Sequence, residues 1–168
     1  MSQENQRFNI LFLCTHNSAR SILGEALAST HPSKRFVGYS AGSMPGDSVN
    51  PYALEIAKSI GYDVTKIYSK SWDVFAEDSA PEMDLIITVC DNAAEEVCPF
   101  WPGKPASAHW GFPDPSLIKG SEEEIREAFN HVFIGLKHRI DLLADLPLQD
   151  LDEITLHHHL SQIHKGLK

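Results

Sequence analysis

Two nearly continuous apolar runs, FNILFL over Phe8 to Leu13 and LIITV over Leu85 to Val89, constrain this chain most. Neither alternates apolar with polar side chains, so each reads as a strand covered on both faces, the mark of a buried parallel sheet. FVGYSA, from Phe36 to Ala41, and a short run around Ala106 to Trp110 read as two further strands. Helical patterns lie between them. Ile22, Leu23, Ala26 and Leu27 recur at helical spacing until His31-Pro32 stops them. Asn50 and Pro51 suit an N-cap and first helical position ahead of Ala53, Ile56, Ala57 and Ile60, with Gly61 closing the helix. Ser121 and Glu124 form a capping box before the apolar stripe Ile125, Phe129, Val132, Phe133, Leu136, Ile140 and Leu143. Strands separated by helices predict an α/β fold: a single doubly wound domain with a four-stranded parallel sheet flanked by helices on both faces. The domain is expected over residues 7–146. Residues 147–168 are expected to form an extension, a short helix or a tail, in which Leu148, Leu151, Ile154, Leu160 and Ile163 keep a weak helical period.

Charge narrows the function. The 168 residues carry a formal charge of -9, and the 14 Lys and Arg are scattered, which leaves no footprint for a nucleic acid backbone or an anionic membrane. An anion must therefore be bound locally. The polar start MSQENQRF is not a secretory signal and no apolar run reaches a membrane span, so a cytoplasmic, reducing setting is expected. Three cysteines cannot close a disulfide framework and point instead to catalytic or redox use. His157, His158 and His159 with His164 lack partners at ligand spacing and read as a polar tail. Trp101 and Trp110 read as covers of a core edge rather than a docking surface. No bound metal or cofactor is expected.

The chemistry concentrates at LFLCTHNSARS. Cys14 ends the first strand, and five residues later Arg20 opens a helix. A chain reversing between strand and helix aims several N–H groups inward, where with the positive end of the helix dipole they form a nest for a tetrahedral oxyanion. Thr15, His16, Asn17, Ser18, Ala19, Arg20 and Ser21 are the expected oxyanion-binding residues, with Arg20 able to clamp two oxygens. The same field favours thiolate at Cys14. Asn17, Ser18 and Ser21 supply side-chain donors that can hold the loop, and His16 a titratable one. Asp114, stiffened between Pro113 and Pro115, is the candidate proton donor.

This C-x5-R-S loop resembles that of the low-molecular-weight phosphotyrosine phosphatase superfamily. Two chemistries share that scaffold, hydrolysis of phosphate monoesters and reduction of arsenate, and the loop alone does not separate them. TVCDNAAEEVCPFWPG resembles the CDNA...CP segment of the arsenate reductases of this fold, and HWGFPDP resembles their HWG..DP; the similarities run in order from about Ile10 to Pro115. The resemblance implies arsenate as substrate, with phosphate or sulfate as competing oxyanions. It implies catalytic roles for Cys14, Arg20, Cys90, Cys98 and Asp114, and electrons delivered by thioredoxin, with glutaredoxin and glutathione as the alternative. A low-molecular-weight tyrosine phosphatase working through a Cys14 phosphoenzyme is the other enzyme reading, and a non-catalytic oxyanion sensor a third.

In the implied relay Cys90 attacks the Cys14 sulfur, since parallel neighbouring strands end at one sheet edge, and Cys98 then attacks Cys90. Helical residues eight apart lie about 12 Å apart at ~1.5 Å rise per residue. A disulfide tolerates only ~4.4–6.8 Å between Cα atoms. A helical DNAAEEV segment must therefore unwind when Cys90 pairs with Cys98. Some of these reductases also hold potassium beside the loop. Asn17, Glu25 and Ser40 match that site, whereas Lys70 stands where an aspartate would complete it, either replacing the ion or lying solvated at the surface.

Overall fold

The computed structural model describes residues 7–46, 48–77, 79–89 and 106–166. Cys90, Cys98, the DNAAEEV segment and Trp101 lie outside the described residues. In chain order the elements are β1 (Phe8–Cys14), α1 (Arg20–Thr30), β2 (Phe36–Gly42), α2 (Pro51–Ser59), α3 (Asp73–Ala76), β3 (Leu85–Thr88), β4 (Ala106–His109), α4 (Glu122–Ala144) and α5 (Glu153–Gly166). The four strands form one parallel sheet in the order β2-β1-β3-β4, with Phe12 beside Ser40 on one side and Ile87 on the other. The chain leaves β1 toward β2 and later returns past it to β3, so β1 and β3 flank the topological switch point, where such sheets bind ligands.

The continuous apolar runs are explained by two unequal cores. Ile10, Phe12, Leu85, Ile87, Ala106, Ala108 and Trp110 face a large cluster with Ile22 and Leu23 of α1 and Phe129, Val132, Leu136 and Ile140 of α4. Alternate residues Leu11, Leu13 and Ile86 face a smaller cluster with Trp72, Phe75 and Met83 around α3. Each fully buried side chain of this size stabilises the fold by roughly 1.5–3 kcal/mol. Both faces need apolar residues, which is why no strand at the sheet centre alternates. The capping signals work as read: the Asn50 side chain accepts from the Tyr52 N–H at 2.9 Å, and Ser121 and Glu124 cap each other reciprocally.

Residues Glu153–Gly166 form a helix, and the polar-tail reading of the histidines is corrected by it. His157, His158 and His159 lie within α5, whose Leu160 is wholly buried in the large cluster with Leu156 and Ile163 packed alongside. The weak apolar period is enough because the helix has a partner: the Trp110 indole N–H donates to the Leu160 carbonyl at 2.9 Å, and His157 bonds the Ser107 carbonyl on β4. Trp110 itself is 0% exposed and belongs to the core rather than its edge. Leu160→Ala is expected to destabilise the protein by about 2–5 kcal/mol in urea denaturation, as buried leucine truncations do. Ile154→Ala, on the same helix but exposed, is expected to stay within about 0.5 kcal/mol of the wild type.

Candidate active site

The loop between Cys14 and Arg20 is fastened from outside by its carbonyls. Those of Thr15, His16 and Ser18 accept from the backbone N–H groups of Met44, Gly46 and Asn50 at 2.8, 3.0 and 2.9 Å. The Asn17 carbonyl accepts from the Ser69 hydroxyl at 2.8 Å. In a trans peptide the carbonyl of one residue and the N–H of the next point in opposite directions. Four carbonyls turned outward therefore turn the N–H groups of His16, Asn17, Ser18 and Ala19 inward, toward a common cup. Asn17 makes the reversal with φ of 50°, a left-handed conformation that asparagine tolerates better than most residues. Its side chain locks the turn, Nδ2 donating to Ser21 Oγ at 2.8 Å and Oδ1 accepting from the Lys70 N–H at 3.0 Å.

Helix α1 begins at the same loop. Its N-cap residue is Ala19, without a side-chain cap, unlike the capped α2 and α4, and its first turn holds no acidic residue. The leading N–H groups of an α-helix have no partner within the helix itself and suit an anion. Cys14, at the root of the cup, is 3% exposed. The Arg20 guanidinium donates through Nη1 to the Phe112 carbonyl at 2.8 Å, and its Nη2 lies 3.4 Å from Asp114 Oδ2. Its Nε is buried and, among the described residues, has no hydrogen-bond acceptor, an expensive state for a charged group unless a ligand oxygen supplies one. Asp114 is held as well, Oδ1 accepting from the Ser116 N–H at 2.9 Å and from its hydroxyl at 2.6 Å. The aspartate thus meets the arginine although 94 positions separate them in the chain.

The structure brings Cys14, the loop, Arg20 and Asp114 to the carboxyl end of β1. Val89, the residue before Cys90, donates its N–H to the Leu13 carbonyl at 2.9 Å, so β3 runs out beside β1. The His16 ring is exposed and bonds the Met44 carbonyl, at 3.2 Å from Nδ1. Lys70 is buried, not solvated: Nζ donates to the Ser40 carbonyl at 3.0 Å, lies 3.9 Å from Glu25 Oε1 and stacks 4.4 Å from the Tyr68 ring centre. Burial pulls the ammonium pKa below its ordinary value, opposed by the Glu25 charge. Glu25 also accepts from Ser40 and Tyr62, and burial, then that carboxylate, push the Tyr62 hydroxyl pKa up.

Several supporting groups were not legible as site residues. Met44, Gly46, Asn50 and Ser69 hold the cup through backbone or hydroxyl groups, and the Phe112 carbonyl anchors Arg20. Gly42 is the closest of them. A Cβ there would stand 2.5 Å from the Thr15 carbonyl oxygen, so only glycine lets β2 end against the loop. The run of turn residues GSMPGDS after Ala41 was the available signal, though nothing local tells which carbonyls it serves.

Among curated proteins the chain is 35% identical to the arsenate reductase of Halalkalibacterium halodurans and 34% identical to that of Bacillus subtilis. Each match runs over 136 residues, covering 81% of this chain and 94% of the relative. Among solved structures it is similar to an arsenate reductase in the phosphate binding state, with TM-score 0.61 and 25% identity over 82% of this chain and 96% of that one. The family model of the low molecular weight phosphotyrosine protein phosphatases matches residues 9–154, and with the thiol loop, the parallel sheet and the Arg20–Asp114 pair in the expected order, the chain belongs to that family.

Proposed function

We propose that this chain reduces arsenate to arsenite, with Cys14 as nucleophile and Cys90 and Cys98 as the thiols that carry electrons away. The observation that carries this reading is the cup, four loop carbonyls bonded outward around Cys14 with a buried Arg20 Nε that lacks an acceptor among the described residues. A tetrahedral oxyanion would satisfy both. Relatives that bear the name arsenate reductase turn the reading from hydrolysis to reduction, and Cys90 and Cys98 supply the thiol pair that reduction needs.

The chemistry balances with these groups. The Cys14 thiolate bonds to As(V) and a hydroxyl leaves as water, taking its proton from Asp114. Cys90 thiolate attacks the Cys14 sulfur; the electron pair of the S–As bond passes to arsenic, which departs as arsenite, and a Cys14–Cys90 disulfide remains. Cys98 attacks Cys90 and frees Cys14, and a thioredoxin dithiol in a reducing compartment takes up the Cys90–Cys98 oxidation. Lys70 serves in place of the potassium ion that the resemblance implies for some reductases, its ammonium facing the Glu25 carboxylate and the Ser40 carbonyl, so no metal ion is required. The second reading, hydrolysis of phosphate monoesters through a Cys14 phosphoenzyme, is favoured by the family's description and needs neither Cys90 nor Cys98.

Arsenate-dependent NADPH consumption, with the thioredoxin and glutaredoxin systems supplied separately, tests the assignment: turnover is expected with thioredoxin and is unaffected by exchanging sodium for potassium. Cys98→Ser is expected to stop reduction after one turnover while any aryl phosphate hydrolysis continues; sustained reduction by that variant would refute the relay. Asp114→Asn keeps an acceptor for the Ser116 N–H, so the loop survives, and arsenate-driven loss of thiols should slow by about 10²–10⁴-fold if the carboxyl is the proton donor. An unchanged rate assigns that proton elsewhere.

A further inference from the structure

Helix α5 reaches beyond the family match, which ends at residue 154. Two of its groups, the Leu160 carbonyl and the His164 ring, grip the segment that leads to Asp114. Leu160 and His164 are four apart, one turn on a single helix face and about 6 Å along the axis. Trp110 and Phe112 are two apart on an extended segment, on one side of it and about 6.6 Å apart. The two spacings match, so α5 meets both aromatic residues at once. Trp110 Nε1 donates to the Leu160 carbonyl at 2.9 Å, and the His164 ring stands edge-on to Phe112 with centres 6.3 Å apart.

Arg139 of α4 completes the box around Phe112. Its guanidinium is stacked on the Phe112 ring, 4.8 Å from the centre, and donates through Nε to His164 Nδ1 at 2.9 Å and through Nη1 to the Gly135 carbonyl at 2.9 Å. Arg139 is 5% exposed, and among the described residues no carboxylate pairs with it. Within these residues the buried cation is held by its hydrogen bonds and its ring contact. On the remaining side Gly135 leaves room for the ring, since a Cβ there would lie 2.6 Å from Phe112 Cε1. The boxed residue is the one whose carbonyl anchors Arg20 and whose N–H is bonded to Val89, one position before Cys90.

We propose that α5 braces the active site, with His164 and Arg139 as positioning residues that hold Phe112, and through its backbone hold Arg20 and the Asp114 loop. Neither side chain need touch the substrate. The brace fixes where the guanidinium and the carboxyl stand relative to the cup, whereas the loop amides are fastened independently by Met44, Gly46, Asn50 and Ser69. Loss of the brace should therefore slow the chemical step and spare oxyanion affinity. The kinetic part of this inference rests on the proposed role of Asp114; the structural part does not.

The test uses the full reduced chain and three measurements: hydrogen–deuterium exchange, phosphate affinity by calorimetry, and single-turnover thiol loss on adding arsenate. His164→Ala keeps a strong helix former in α5 but removes the Nδ1 acceptor. Amides of residues 110–117 are expected to exchange at least about tenfold faster while those of β1 are unchanged. Thiol loss should slow by roughly 10- to 100-fold. The phosphate Kd should stay within about twofold. His164→Asn, whose amide oxygen takes the place of Nδ1, should restore both exchange and rate. Gly135→Ala should reproduce the slow step, because its methyl group would lie 2.6 Å from Phe112 Cε1 and displace the ring. The brace is overturned if 110–117 exchanges no faster in His164→Ala, if β1 accelerates equally, or if His164→Asn fails to rescue. A wild-type chain inert to arsenate would sink the reductase reading instead, leaving exchange to judge the brace.

Discussion

Everything at this site depends on the planarity of four peptide groups. Once the carbonyls of Thr15 to Ser18 are taken up by Met44, Gly46, Ser69 and Asn50, their partner N–H groups can only face the other way. The loop is thus shaped from outside, by the chain segments that hold its carbonyls. This arrangement suits a protein of formal charge -9, since it needs no excess of basic side chains. Backbone N–H groups, a helix start without a side-chain cap and one arginine come together at that loop.

The layers beneath the cup divide the work. On the outer side of β1, Lys70 binds the end of β2 to α1 through Ser40 and Glu25, and its main chain ties Asn17 into the same cluster. A lysine and a glutamate buried together avoid the cost of either charge alone. On the far side of β3, α4 and α5 close around Trp110 and Phe112. Arg20 is where the two halves meet: it begins α1, packed beside β2, and is anchored by the segment after β4. The Cys14 loop and the Asp114 segment, far apart in sequence, meet through that one guanidinium.

Much of this was legible residue by residue. The unalternating runs at Phe8 and Leu85 could only be buried strands, the capping box at Ser121 and the Asn50-Pro51 start marked their helices, and the spacing from Cys14 to Arg20 marked the cup. Each of these signals is local, carried within one or two helical turns. The extension was harder to read. His157, His158 and His159 look like a solvated stretch, and the apolar residues among them are too sparse to imply a helix until β4 and α4 supply the surface they bury against. Lys70 was ambiguous for the same reason, because burial belongs to the surroundings and not to the residue.

By itself the sequence determined the fold class and the loop that joins Cys14 to Arg20, because hydrophobic period, turn chemistry and a five-residue spacing act over short stretches of chain. Only the tertiary structure decided which donors turn the loop carbonyls outward, that Asp114 meets Arg20 through the Phe112 backbone, and that α5 closes the box around Phe112. Those contacts join residues tens of positions apart through backbone atoms, which are alike in every residue and leave no mark in the order of side chains.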